Sequence, residues 1–128
     1  MPTLEVYMPA GHAEARKATL IDTLTYATVN AIGAPAESVR ILLSELPASD
    51  YGIGGRAASE DTPPSLPVIV AILIAGRTDE QKRALIQALC ETSARILDTP
   101  VDATRVMIKD IPNTDFGIGG QTAKSLGR

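Results

Sequence analysis

Tyr51-Gly52-Ile53-Gly54-Gly55 recurs 65 positions later as Phe116-Gly117-Ile118-Gly119-Gly120. Worked outward from this doublet, the same offset pairs Pro2 with Pro67, Gly11 with Gly76, Lys17 with Lys82, Leu20 with Leu85, Leu24 with Leu89, Pro35 with Pro100, Arg40 with Arg105, Pro47 with Pro112 and Asp50 with Asp115, without a gap. Residues 2–55 and 67–120 share 15 identities in 54 positions. Composition alone would give roughly three or four, so duplication of one unit is the economical explanation. The Gly-Ile-Gly-Gly segments read as hairpin turns that need positive φ. Neither is followed by a helix, as a phosphate-binding loop would be.

Each unit reads as strand, helix, strand and glycine-rich turn. Val68-Ile69-Val70-Ala71-Ile72-Leu73-Ile74 is a continuous apolar run, as in a strand buried on both faces; the matching first strand is more mixed. Thr78-Asp79-Glu80-Gln81 is a capping-box pattern that marks the start of the second helix. Leu85, Leu89, Thr92 and Ile96, flanked by Ile86, Cys90 and Leu97, recur at helical spacing, which places Cys90 in the core. The first helix matches through Leu20, Ile21, Leu24, Thr28 and Ile32, and both helices stop near Pro35 and Pro100, with Gly33 assisting the first. Strands follow at residues 39–46 and 104–111. A helical crossover between two strands of one sheet favours parallel pairing.

The fold class expected is therefore α/β (α+β): two tandem βαβ units forming a four-stranded sheet with two helices on one face. The chain divides into repeat one (2–55), a polar, proline-containing linker (56–66), repeat two (67–120) and a tail (121–128), all within a single domain. The uncovered sheet face calls for a homo-oligomer that packs sheets about a common axis.

Composition narrows the function. Net charge is −3 with both signs interspersed, so no basic face invites nucleic acid. The longest apolar stretch is too short to cross a bilayer and no signal core is present, which makes a soluble cytoplasmic protein without a membrane partner the expectation. One cysteine excludes an internal disulfide, and with a single histidine the usual zinc spacings and a Cys/His nucleophile pair have little to work with. No metal or cofactor is called for. The residue with unusual chemical potential is Pro2. If Met1 is removed, its nitrogen is a free secondary amine, and an apolar pocket with cationic neighbours disfavours its charged form, making it a base near neutral pH. Pro67, at the matching position, has its nitrogen in a peptide bond and cannot do the same.

Pro2-Thr3-Leu4 opening a strand, Gly76-Arg77-Thr78-Asp79-Glu80-Gln81-Lys82 opening a helix, Arg105 on the next strand and Phe116-Gly117-Ile118-Gly119-Gly120 together resemble the 4-oxalocrotonate tautomerase family, over nearly the whole chain, twice. The resemblance implies a fused two-unit member of the tautomerase superfamily, assembled as a homotrimer. It also implies that the amino-terminal proline shuttles a proton between the oxygen and carbon of an enol. Arginines would hold substrate carboxylates and the dienolate charge. One family arginine falls on Arg77, with His12, read as an exposed loop residue, in the first unit. Another falls on Arg40 and Arg105, and an aromatic wall on Tyr51 and Phe116. By analogy with fused relatives, Arg77, Arg105 and Phe116 are assigned to the pocket around Pro2, with Arg40 and Ile74 as further candidates.

The expected partner is then a small enol or keto acid such as 2-hydroxymuconate, whose two carboxylates suit two arginines. Dehalogenating and hydrating relatives use a carboxylate to activate water, and one such family places it two residues past the aromatic wall, where Ile118 stands. A decarboxylating relative places an aspartate where Ser38 stands, beside Glu37. A binding protein that retains the fold without turnover is the alternative of another class.

Overall fold

The computed structural model describes residues 1–128. Each unit contributes a strand, a helix, a second strand and a small hairpin. In the first these are β1 (Thr3–Pro9), α1 (Glu14–Ile32), β2 (Arg40–Leu46), β3 (Gly52–Ile53) and β4 (Arg56–Ala57). In the second they are β5 (Val68–Ile74), α2 (Asp79–Leu97), β6 (Arg105–Ile111), β7 (Gly117–Ile118) and β8 (Gln121–Thr122). Every bound in the second unit lies 65 residues after its counterpart, so the duplication read from identities holds for the backbone too.

β1 pairs with β2 in parallel and β5 with β6 in parallel, while β1 and β5 meet antiparallel through Thr3–Ile72, Glu5–Val70 and Tyr7–Val68. The sheet order is β2-β1-β5-β6, which makes the two units one domain. Both helices cover one face. Leu4, Val6, Met8, Ile69, Ala71 and Leu73 alternate along the central strands and form one core with Leu20, Leu24, Leu85 and Leu89. Two ion pairs tie helix to sheet at matching positions, Lys17 with Glu45 and Lys82 with Asp110. Thr28 and Ser93 are also equivalent. Each is fully buried and satisfied by donating its hydroxyl to the carbonyl four residues back.

Several local expectations are refined. Thr78 and Gln81 form the full capping box of α2, whereas α1 starts at Ala13 without a side-chain cap. Ile21 and Ile86 are 41% exposed and lie at the edge of the apolar stripe; in α2 Ser93 and Ala94 are buried where Thr92 and Ile96 are only half-covered. The helices pack on each other as well as on the sheet, so the buried arc is turned toward the neighbouring helix, where small residues fit. Cys90 is half-buried rather than core, its thiol directed at the Val101 carbonyl at 3.6 Å.

The Gly-Ile-Gly-Gly segments are hairpin turns, with Gly54, Gly55, Gly119 and Gly120 all at φ between 58° and 85°. Their second arms, Arg56–Ala57 and Gln121–Thr122, fall in the stretches expected to be linker and tail. The connector proper therefore begins at Ala58. The sheet face away from the helices carries Leu42, Val70 and Met107 and remains open in one chain, with Leu42 57% and Met107 50% exposed.

Candidate active site

Strand direction sorts the chemistry-bearing residues into two ends. β1 starts where β5 finishes, so Pro2 lies at the same end of the sheet as Ile74 and the loop that leads into α2. β2 starts there as well: the Arg40 N–H donates to the Pro2 carbonyl at 3.0 Å. β6 finishes there, which brings Phe116 to the same end. The opposite end holds the equivalents, with Arg105 N–H donating to the Pro67 carbonyl at 3.1 Å and Tyr51 beside Leu66 and Val68.

Two cavities flank the amino terminus at the Pro2 end. One, about 420 Å³, is lined by Met1, Ser38, Ile74, Gly76, Arg77 and Arg128. The other, about 440 Å³, is lined by Met1, Glu37, Ser38, Arg40, Phe116 and Ile118 among others. Both fall within the range of small-molecule clefts. Met1 and Ser38 line both cavities. Pro2 is fully buried behind Met1, so loss of that residue would open the proline nitrogen to the junction of the two spaces.

The guanidinium groups at this end lack carboxylate partners, since the chain's two ion pairs are the lysine pairs on the helix face. Arg77 is half-buried and donates from Nη1 to the Ile74 carbonyl at 3.1 Å. Arg128 donates from Nη1 toward the Met1 sulfur at 3.5 Å. Burial lowers the pKa of the Met1 amine below its ordinary value, and the charges of Arg77 and Arg128 lower it further. That amine sits one residue from the nitrogen that Pro2 would expose, among the same cations.

Five expected residues, Pro2, Ile74, Arg77, Arg40 and Phe116, are thus gathered at one end. Arg105 is not. Seven-residue strands at ~3.3 Å per residue put it about 20 Å from that end. Its guanidinium also folds back onto its own loop, Nη1 donating to the carbonyls of Asp102 at 2.7 Å and Thr104 at 3.1 Å. Within one chain Arg105 and Pro2 are therefore separated: β1 and β5 run in opposite directions, so the second unit's strand arginine lies at the far end. His12 is half-buried rather than exposed.

Sequence reasoning missed Arg128. It lies past the duplicated segment, and the position 65 earlier is Pro63, so the repeat gives it no signal. No group of three or more His, Cys, Asp or Glu side chains gathers in a metal-binding arrangement, and no helix is long and apolar enough to cross a membrane.

The family model described as tautomerase enzyme matches the chain twice, over residues 2–60 and 67–125. The 2-hydroxymuconate tautomerase of Stutzerimonas stutzeri is 43% identical over 63 residues, which is 49% of this chain and 100% of that protein. The 2-hydroxymuconate tautomerase of Pseudomonas putida is 41% identical with the same coverage. Among solved structures, one described as native fused 4-OT superimposes with a TM-score of 0.94 at 75% identity, covering 98% of this chain and 99% of that one. Another, described as an asymmetric trimer of wild-type fused 4-OT, gives 0.93 at 71% identity with the same coverage.

Proposed function

The chain belongs to the tautomerase family of enzymes, and from that premise we propose that it ketonises 2-hydroxy-dienoates such as 2-hydroxymuconate, with Pro2, after loss of Met1, as the base that becomes the acid. The neutral proline nitrogen accepts the proton of the enol hydroxyl and returns it to a carbon of the resulting dienolate, so substrate and product are isomers and no other reactant is consumed. Arg77 holds a carboxylate and stabilises the dienolate charge, Arg40 adds a second guanidinium in the neighbouring cavity, and Ile74 and Phe116 supply apolar walls that exclude water.

The observation that carries this reading is the placement of Pro2, buried directly behind Met1, whose amine lies at two cavities beside Arg77 and is lowered in pKa by burial and by nearby guanidinium charge. The similarity to the 2-hydroxymuconate tautomerases of Stutzerimonas stutzeri and Pseudomonas putida supports the substrate class. Ile118, apolar and in the second cavity, speaks against a water-activating carboxylate at that position.

Assembly as a homotrimer is part of the proposal. The open sheet face, with Leu42 and Met107 exposed and Val70 half-buried among polar neighbours, supports it, as does the trimeric state of the 71%-identical relative. In such an assembly Arg105 would serve a pocket only by reaching it from a neighbouring copy. Intact-mass measurement combined with ketonisation assays of the wild type, Pro2→Ala and Pro67→Ala tests the proposal. Met1 should be absent and activity should fall only with Pro2→Ala. Retained Met1, or three equal rates, would put the binding-protein alternative ahead.

A further inference from the structure

We propose that Arg128 is a specificity-determining residue of the same cleft, pairing with a substrate carboxylate remote from the reacting enol and so favouring dianionic over monoanionic ligands. The inference rests on the reading of the Pro2 cleft as a site for unsaturated acids.

Arg128 lines the cavity that contains Arg77 and Ile74. Its side chain has one polar contact, to the sulfur of Met1, and a thioether is a weak acceptor. Removal of Met1 abolishes even that contact. No carboxylate side chain pairs with Arg128, and the residue is exposed at the cavity it lines, so its donors are free to meet an anion there.

The backbone that carries it is held in place. Ala123 is fully buried, and Arg128 N–H donates to its carbonyl at 2.9 Å. Gly127 N–H bonds the Lys124 carbonyl at 3.0 Å, and Lys124 N–H bonds that of Asn113 at 3.0 Å. The Asn113 side-chain amide donates to the main-chain oxygen of Arg128 at 3.0 Å. An arginine on an anchored turn needs less ordering to bind an anion than one on a loose segment. The two ends also differ in charge: the Pro2 end carries Arg77 and Arg128, while the Pro67 end has His12 at the first position and Pro63 at the second.

Binding of cis,cis-muconate, a diacid, and sorbate, a monoacid, to the processed wild type, Arg128→Ala and Arg128→Lys tests this independently of turnover. Arg128→Ala should weaken muconate about tenfold and sorbate less than about twofold, as loss of one charge-assisted contact requires, with Arg128→Lys between them. The ratio of kcat/KM for 2-hydroxymuconate to that for the monoacid 2-hydroxy-2,4-pentadienoate should fall in step. Equal losses on both acids, or none on either, overturn the inference. A wild type that binds muconate through Arg128 yet ketonises neither dienol keeps the inference and overturns the catalytic reading; one that binds neither acid overturns both.

Discussion

Arg77 donates from Nη1 to the carbonyl of Ile74 at 3.1 Å, across the bend that joins the end of β5 to the start of α2. The bond tethers the guanidinium to the strand that closes one side of the cleft and leaves its other donors for an anion. Arg77→Ala should lower kcat/KM for 2-hydroxymuconate about 100-fold, the range for losing a preorganised charged donor. Arg77→Lys should recover only part of this, because an ammonium lacks the planar fork. Steady-state kinetics decides, and a loss below about threefold would remove Arg77 from the site.

The pH dependence has a defined sign. A base must be neutral to accept a proton, and burial, Arg77 and Arg128 all lower the pKa of the Met1 amine, one residue from the Pro2 nitrogen that takes its place among the same cations. The rate should therefore rise with pH through a pKa below the usual α-amino range of about 7.7–8.0 and level off above it. Arg77→Ala and Arg128→Ala each remove a positive charge, so each should move the acidic limb toward higher pH. Profiles of kcat/KM against pH for the three proteins are the check, and an unmoved limb would contradict the electrostatic account.

Arg105 lies at the far end of its own sheet, so any catalytic effect it has must cross a subunit boundary. Pro2→Ala subunits retain Arg105, and Arg105→Ala subunits retain Pro2. If Arg105 completes a neighbour's pocket, mixed oligomers of these two inactive variants should recover part of the wild-type rate. Persistent inactivity of the mixture, or full activity of Arg105→Ala alone, would leave the substrate to the arginines gathered at the Pro2 end.

Asp98 ends α2 in the left-handed conformation, at φ 54°, where the first unit ends α1 with Gly33 at φ 70°. A residue with a Cβ is strained there and glycine is not. Asp98→Gly should stabilise the chain by about 0.5–1 kcal/mol, after the greater freedom glycine gives the unfolded state is counted. Denaturant titration would show a higher midpoint at an unchanged slope.

Leu42 stands on the open sheet face, 57% exposed in one chain, and is outside the core between helices and sheet. Leu42→Asp should break up the oligomer in sedimentation while the helical circular dichroism of the chain persists, since only a face covered by another copy would bury that carboxylate. Leu85→Ala, by contrast, opens a cavity in the core and should cost about 2–5 kcal/mol of stability.

The amino-acid sequence by itself determined the two units, their strand–helix–strand order, the start of α2 and the glycine turns. Each of these depends on local pattern: the offset of 65, the spacing of Leu85 and Leu89, the Thr78–Gln81 pair and glycines that tolerate positive φ. It also marked Pro2, Arg77 and Phe116 through their resemblance to a known arrangement. Alternation along a strand states which face a side chain takes, but not which end of another strand it will meet. The parallel β1–β2 pair within the first unit sets Arg40 beside Pro2, but the antiparallel pairing of β1 with β5, a long-range contact, decided that Ile74, Arg77 and Phe116 join it and that Arg105 is carried away with Pro67. Arg128 had no pattern to announce it, and entered the cleft because turns anchored by Ala123 and Asn113 fold the last residues back across the Pro2 end.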